Sequence, residues 1–328
     1  MNRETRWMAG VLLMGSLAAA CENGGADLGF QPIPNGGAVV QVYLDRDGSS
    51  TRTDFDTTYA GASVSLRPYY GGASVQTKPT LVTGQALFEQ VPFGDYSVSV
   101  GQASVGDSLL VAAIDASHIR IRAAVDAPSV IVRLAYPEVS IRQARQMAPG
   151  KRVLIRGIVL AGVQSYHDAS SFVKDTSGTI RLTGVTIRGT QLGNTPGDSV
   201  TVLGTTTANA GQPVLNLAII SQIVQRPSPA VLPVSSANAA AATNGTLDAA
   251  LVVVTGVVIS EAAPAAPDFR VVASDGSGPL TIILDSATDF DLSAFTIGRT
   301  MAVRGVLVPD GTGKWRLKPR VREDVVFF

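Results

Sequence analysis

Four aspartates follow the first apolar segment at close spacing: Asp45, Asp47, Asp54 and Asp56. Asp45 and Asp47 are alternate residues, so in an extended segment both carboxylates point to one side, and the second pair can return to the same point. Carboxylate oxygens are the ligands that Ca²⁺ prefers. The loop is not an EF-hand, because strands rather than helices flank it and Gly48 falls at the fourth position. The sequence therefore allows two interpretations of this loop, a solvated acidic turn and a Ca²⁺ site.

Basic residues alternate with apolar ones near the end of the chain. They are Lys314, Arg316, Lys318, Arg320 and Arg322. On a strand this alternation places the charges on one face, where they could follow the backbone of a nucleic acid or a polyanionic glycan. The alternative is the solvated face of a final strand whose charges discourage edge pairing. Few aromatic residues lie nearby for base stacking, which counts against nucleic-acid binding.

Histidine is scarce, with His118 and His167 as the two in the chain. This scarcity argues against zinc sites and against histidine-dependent catalysis. His167 adjoins Asp168 and several serines, but the sequence has no Gly-x-Ser-x-Gly elbow. It also has no Walker loop, no His-Glu-x-x-His and no Cys-x-x-Cys. We expect no catalytic residues and a protein that is not an enzyme.

The N-terminal residues have the layout of an export signal. Arg3 and Arg6 precede an uncharged run over residues 8–20, which is shorter than a membrane-spanning helix requires. The run ends in Leu-Ala-Ala-Ala-Cys at residues 17–21, which resembles the lipobox of bacterial lipoproteins. The resemblance implies that Cys21, the sole cysteine, carries lipid and anchors the protein to a membrane; the alternative is a plain secretory signal with Cys21 left free. Glu22 after the cysteine favours an outer-membrane lipoprotein, periplasmic or surface-exposed.

The composition is typical of an all-β protein. The chain has 328 residues, of which 45% are hydrophobic, with 33 glycines and 18 prolines and few long amphipathic helical patterns. Lys plus Arg equals Asp plus Glu, 26 against 26, so no overall field recruits nucleic acid or acidic lipid. Residues 1–21 are predicted as the signal and residues 22–37, rich in Gly and Pro, as a flexible tether.

Residues 38–136 are predicted to form an antiparallel β-sandwich of short alternating strands. The order of features, ending in Phe-x-x-Val-Pro-x-Gly-x-Tyr-x-Val at residues 88–98, resembles two known domains. They are the B-type repeats of Gram-positive serine-aspartate and collagen-adhesin surface proteins, and the transthyretin-like regulatory domain of carboxypeptidases. The resemblance implies Ca²⁺ in the first loop and places Phe88 and Tyr96 in the sandwich core.

The rest of the chain repeats itself with a period near 100 residues. Residues 152–159 match 251–258, residues 171–178 match 270–278, residues 197–204 match 298–305, and residues 211–217 match 313–319. Strands with an internal glycine and a hairpin through Asp-x-x-Gly resemble the OB-like barrels of secreted bacterial nucleases and surface lipoproteins. We predict barrels over residues 137–226 and 248–328, joined by a linker over 227–247. A short helix capped by Ser140 should precede the first barrel.

The predicted fold class is therefore all-β, an N-terminal antiparallel β-sandwich followed by two tandem OB-like β-barrels. We expect a membrane-anchored envelope protein that acts as a non-enzymatic binding or scaffold module for a protein or glycan ligand. The alternatives are nucleic-acid or polyanion binding through the barrels, and an accessory subunit of an envelope hydrolase. Apart from Ca²⁺ we expect no cofactor.

Overall fold

A computed structural model describes residues 33–123, 127–188, 194–224 and 232–328. The predicted signal with Cys21 and most of the predicted tether lie outside these ranges. Across the described ranges, no helix combines the length and the apolar character needed to cross a bilayer. The protein is all-β, with a sandwich followed by two closed barrels.

The sandwich is built from two sheets. Its strands are β1 (Asn35–Leu44), β2 (Thr57–Thr58), β3 (Ser63–Pro68), β4 (Gln76–Pro79), β5 (Gln85–Pro92), β6 (Gly94–Val100), β7 (Leu110–Ile114), β8 (His118–Ile121) and β9 (Ser129–Ala135), with one helical turn, α1 (Gln102–Val105). In the first sheet β1 pairs with β5 and β2 along one edge and with β9 along the other, and β7 lies beyond β9. The second sheet has the order β4, β3, β6, β8. Among the described strands of the sandwich, β1 and β9 are parallel and the other pairs are antiparallel.

The core of the sandwich follows from the alternation of apolar residues. In β1, Ala38, Val40 and Val42 are buried while the residues between them are partly exposed. Phe88 and Tyr96 are 1% and 5% exposed and belong to this core, which confirms the prediction for both.

The two barrels repeat one topology. The first contains α2 (Ile141–Gln146), β10 (Arg152–Ala161), β11 (Ser171–Lys174), β12 (Thr179–Leu182), β13 (Thr186–Ile187), β14 (Ser199–Asn209) and β15 (Gln212–Val224). The second contains β16 (Ser235–Ser236), α3 (Ala239–Thr243), β17 (Leu251–Ala265), β18 (Asp268–Ser274), β19 (Pro279–Leu284), β20 (Thr300–Pro309), β21 (Trp315–Lys318) and β22 (Val325–Phe327). The first barrel closes in the order β10, β11, β12, β15, β14 and back to β10, and the second in the order β17, β18, β19, β21, β20 and back to β17. β12 is parallel to β15, and β19 is parallel to β21. This is the strand arrangement of an OB-fold.

Each barrel has a glycine inside its first long strand, β10 or β17, and glycine is required there for a different reason in each barrel. A Cβ on Gly157 would lie 2.5 Å from Val173 Cγ1 and 2.7 Å from the Lys174 carbonyl oxygen, so β10 and β11 approach closely where only glycine fits. In the second barrel Gly256 has φ +71° and lies at a shift in the pairing register between Val254 and Val257.

A helix cap is duplicated along with the strands. The hairpin after β11 presents Asp175 and Ser177, whose side chains accept the backbone N–H of Ile141 and Arg142 at the start of α2, both at 2.9 Å. Ser140 caps the same helix, as predicted, and forms a capping box with Gln143.

The second barrel uses the equivalent hairpin in the same way. Asp275 Oδ2 accepts the N–H of Ala239 at 2.9 Å, and Ser277 Oγ accepts the N–H of Ala240 at 3.0 Å. The predicted linker therefore contains α3, whose Ala239 and Ala242 are buried in the second barrel.

The barrels are packed against each other through an apolar cluster that both supply. The first barrel contributes Leu160, Ala161, Tyr166 and Phe172, and the second contributes Ala249, Leu251, Val306 and Val308. Hydrogen bonds cross the same junction: Arg320 Nη1 donates to the Leu160 carbonyl at 2.7 Å, and the Tyr166 hydroxyl donates to the Lys318 carbonyl at 3.2 Å. The two barrels thus share a core where they meet.

Candidate functional site

Three of the four predicted acidic residues come together in the loop after β1. One oxygen from each of Asp45, Asp47 and Asp56 lies within 4.8 Å of the others. Asp45 and Asp47 are buried and Asp56 is half-buried. Asp54 is exposed and lies outside this group.

Protein donors already contact the carboxylate of Asp45. Its Oδ1 accepts the Gly48 N–H at 2.6 Å, and its Oδ2 accepts the Ser50 N–H at 3.1 Å and Arg133 Nη1 at 3.0 Å. Burial raises the pKa of Asp45 even though these donors act in the opposite direction. The three carboxylates are of the ligand type that Ca²⁺ prefers, and part of their charge is offset by Arg133, which pairs with Asp45, and by Arg46 and Arg52 of the same loop.

The acidic loop also forms the contact between the sandwich and the first barrel. Gly48 has φ +72°, and a Cβ there would lie 2.5 Å from Leu154 Cδ1. Phe55 lies under the guanidinium of Arg188, with the ring centroid 3.6 Å from Cζ. The loop is thus packed between the two modules.

The alternating basic residues do not form one exposed face, which corrects the prediction for this segment. The strand ends at Lys318, so Arg320 and Arg322 lie beyond it. Lys318 and Arg320 are 7% and 5% exposed. Each is paired with a buried carboxylate: Lys318 Nζ is 2.6 Å from Asp285 Oδ2, and Arg320 Nε is 2.8 Å from Asp324 Oδ2.

The other basic residues of that segment lie nearer the solvent. Lys314 and Arg322 are exposed, and Arg322 pairs with Asp289. Arg316 is half-buried. A polyanion would need a continuous row of exposed cationic side chains. That row is interrupted here, because Lys318 and Arg320 are buried and paired where the barrels pack together.

An aromatic surface on the sandwich was missed by the sequence analysis. Tyr69 and Tyr70 are 51% and 88% exposed. The Tyr69 ring stacks on His118 with centroids 4.1 Å apart and planes inclined by 28°, and it meets Tyr70 edge-on at 5.4 Å. We call Tyr69, Tyr70 and His118, together with Asp95 and Arg120, the aromatic platform.

The strand register places the polar members of the platform beside the rings. Asp95 lies opposite Arg120 in the pairing of β6 with β8, and the two side chains form an ion pair. The Asp95 carbonyl accepts the Tyr69 N–H at 2.9 Å. The hydrogen bond from Arg120 is the largest influence on Asp95 and lowers its pKa, so the carboxylate is ionised at neutral pH. A depression of about 360 Å³ adjoins the platform and shares Asp95 and Arg120 with it.

A sequence signal for the platform exists in the turn between β3 and β4. Two consecutive tyrosines precede Gly71 and Gly72, whose φ values of +105° and +118° form a tight turn. Adjacent aromatic residues at such a turn cannot both enter the core. Recognising β4 would have shown this, but β4 has the sequence Gln-Thr-Lys-Pro and no apolar alternation.

Comparisons with known proteins identify no family. No protein-family model matches the chain, and no curated protein matches it significantly. Among solved structures, a murine DNA-binding protein bound to double-stranded DNA is similar with 9% identity over 50% of this chain and 90% of that one, at a TM-score of 0.28. The Ifi202 HINa domain in complex with 20-base-pair double-stranded DNA is similar with 10% identity over 53% of this chain and 94% of that one, at a TM-score of 0.25. The full-length major pilin SpaD from Corynebacterium diphtheriae is similar with 9% identity over 53% of this chain and 37% of that one, at a TM-score of 0.23. Likeness at this level carries no argument about a ligand or an activity.

Proposed function

We propose that this protein is a lipid-anchored envelope protein that binds a glycan through the aromatic platform of its β-sandwich, with the barrels as a packed spacer. The single observation that carries the proposal is the exposed stack of Tyr69 and His118 beside Tyr70. Large apolar rings left in water next to one another are typical of binding surfaces.

The chemistry of the platform suits a neutral sugar. A pyranose ring has an apolar C–H face that can lie against an aromatic ring, and tyrosine offers such contact area at low cost in side-chain entropy. The hydroxyls at the ring edge need both donors and acceptors, which the Arg120 guanidinium and the Asp95 carboxylate supply. These two opposite charges cancel locally, which favours a neutral glycan over a polyanion.

The experiment is a glycan array, followed by calorimetric titration of each hit with the full-length chain in detergent. Tyr70→Ala should weaken binding by about twofold to tenfold, the value of one aromatic contact. Phe328→Ala is the matched control, because Phe328 is an exposed aromatic, at 73%, on the second barrel. Absence of any glycan hit, or equal affinity of the two variants, would refute the proposal. If a ligand bound by the wild type but not by Tyr70→Ala is still bound after it has been treated with glycosidases, the platform binds a protein instead.

The membrane anchor is part of the proposal and rests on the motif that ends at Cys21. A Cys21→Ala protein should leave the membrane fraction. Fractionation of this variant with membranes as fully as the wild type would remove the anchor from the proposal and leave the binding surface untouched.

The alternative functions have less support. A nucleic acid or polyanion would have to bind the barrels, where Lys318 and Arg320 are buried and paired. The murine DNA-binding protein and the Ifi202 HINa domain were both solved with double-stranded DNA, but the similarity is too low to transfer that property. An accessory role beside an envelope hydrolase would be recognised by co-purification.

A further inference from the structure

We propose that His167, Asp268 and Asp285 bind a divalent transition metal ion, with Zn²⁺ as the reference ion, and that this ion links the two barrels. His167 lies in the loop between β10 and β11 of the first barrel, Asp268 begins β18, and Asp285 directly follows β19 of the second. Asp268 and Asp285 thus lie at facing ends of two paired strands, and His167, from the other barrel, meets them at the junction. Their candidate ligand atoms lie within 4.8 Å of one another.

The distances between these atoms fit shared coordination. His167 Nδ1 is 3.1 Å from Asp285 Oδ2 and 3.4 Å from Asp268 Oδ1. Nitrogen and oxygen ligands lie about 2.0 to 2.2 Å from Zn²⁺, so tetrahedral ligands around one ion are separated by about 3.3 to 3.6 Å. The 3.4 Å separation falls in that range, and the 3.1 Å separation is about 0.2 Å shorter than its lower end.

Each carboxylate oxygen of the cluster already accepts one protein donor and keeps a second lone pair: Asp285 Oδ2 accepts from Lys318 Nζ at 2.6 Å, and Asp268 Oδ1 accepts the Ser286 N–H at 3.0 Å. Nδ1 of a neutral imidazole and the two carboxylate oxygens are all acceptors unless Nδ1 carries a proton. One proton on Nδ1 can be shared between the two carboxylates but cannot meet both with good geometry. A metal ion contacts all three atoms at once.

Asp285 is oriented before any ion arrives. Its side chain is fully buried, and its Oδ1 accepts the backbone N–H of His167 at 2.8 Å and of Ala287 at 3.0 Å. These bonds fix the carboxylate and leave Oδ2 directed at His167 Nδ1. Outer contacts of this kind hold metal ligands in place.

Lys318 is the group that opposes the ion. Its Nζ donates to Asp285 Oδ2 at 2.6 Å and lies 4.5 Å from the centroid of the Tyr166 ring. A carboxylate oxygen has two lone pairs, so Lys318 occupies one while the other faces His167. The ammonium repels a nearby cation and limits the affinity of the site.

A cleft of about 510 Å³ lies beside the cluster. Asp268 and Asp285 line it together with Phe269, Leu284 and Phe290. The three protein ligands leave a coordination position for water or a small ligand from this cleft, as three-ligand zinc sites do.

The test is metal titration of the full-length chain in detergent, with Ca²⁺ in excess so that the acidic loop is saturated. Zn²⁺ affinity is measured by competition with a chromogenic chelator, and Co²⁺ is used for its visible absorption. The wild type should bind one equivalent. His167→Gln should lower the Zn²⁺ affinity at least tenfold and abolish the Co²⁺ spectrum, whereas His167→Cys, which restores a ligand, should bind again.

His118→Gln is the matched control, because it removes the other histidine, which lies on the sandwich. Lys318→Met removes the opposing charge, keeps an unbranched apolar side chain at this position, and should tighten Zn²⁺ binding. The proposal is overturned if the wild type binds no Zn²⁺, if His167→Gln binds as well as the wild type, or if binding is lost in His118→Gln. None of these results depends on glycan binding.

Discussion

The two arginines at the end of the second barrel show how similar residues acquire different roles. Arg320 is buried and bidentate with Asp324, through bonds of 2.8 Å from Nε and from Nη2, and it also reaches Leu160 of the first barrel. Arg322 is exposed and pairs with the exposed Asp289. The alternation of the sequence treats both as members of one face, because it contains no information on which carboxylate each will meet.

We predict that Arg320→Met lowers the free energy of unfolding by about 1 to 3 kcal/mol, because it removes the donor to the buried Leu160 carbonyl and two of the hydrogen bonds to Asp324, which keeps its bond from Arg304 Nε at 2.6 Å. Arg322→Met should change it by less than about 1 kcal/mol, as expected for an exposed pair. Both changes would be measured by urea unfolding at neutral pH. Equal losses in the two variants would contradict the assignment of Arg320 to the junction.

The same pair predicts a pH dependence. Burial tends to raise the pKa of Asp324, but hydrogen bonds and charge from Arg320 outweigh it, so the pKa lies below its usual value. The stabilisation is then fully present above the unfolded-state pKa of about 4 and is lost as the pH falls through the lower folded-state value. The difference between the wild type and Arg320→Met should therefore shrink as the pH is lowered below about 4.

Ca²⁺ should raise the melting temperature of the chain through the acidic loop, since the ion would offset the negative charge that Asp45, Asp47 and Asp56 accumulate. An ion present at about 100 times its dissociation constant stabilises the folded state by about 2.7 kcal/mol. Asp47→Asn should abolish the shift, while Asp54→Asn, outside the cluster, should retain it. No change in melting with excess Ca²⁺ would dismiss the site.

At the scale of elements, the sequence predicts what local pattern determines. The alternation over residues 39–44 predicts β1, the Ser140 cap predicts α2, and the repeated segments predict two barrels of one topology. The pattern fails where an element is held by its neighbours alone. β4 has no apolar face of its own, and the pairing of β3 with β4 creates the turn that carries Tyr69 and Tyr70.

The zinc candidate could not be predicted for a related reason. His167 and Asp285 are separated by more than 100 residues and meet only because the barrels dock. The scarcity of histidine is a property of the whole chain, and it says nothing about where a single histidine lies.

The duplicated helix cap predicts the effect of a substitution within one element. Asp275→Ala removes the acceptor for Ala239 at the start of α3 and for Ser277 in the hairpin. We expect a loss of about 1 to 2 kcal/mol, the range of helix N-caps. Asp310→Ala is the control, because Asp310 accepts from Thr312 and Lys314 within its own turn. The same loss for both, measured by denaturant unfolding, would mean that the contact to α3 adds nothing.

At the scale of the whole molecule, the position of the sandwich depends on the tip of the acidic loop. Gly48 meets Leu154 of the first barrel, and Arg152 and Arg188 of that barrel approach Arg46 and Phe55 of the loop. A single surface loop thus combines the candidate Ca²⁺ ligands with the contact that orients the platform on the barrels.

We predict that Gly48→Val separates the sandwich from the first barrel while each module stays folded, because the new side chain would overlap Leu154. Gly61→Val is the matched control: Gly61 also has a positive φ, +82° against +72° for Gly48, but a Cβ there meets nothing within 4 Å. Both variants share the strain of a left-handed, branched residue, about 1 to 2 kcal/mol, so the difference between them isolates the contact.

Small-angle scattering should show a larger radius of gyration for Gly48→Val alone, and melting should resolve into separate transitions for the sandwich and the barrels. Equal scattering curves for the two variants would mean that the loop does not hold the modules together, and the orientation of the aromatic platform would then have to come from the chain between β9 and α2.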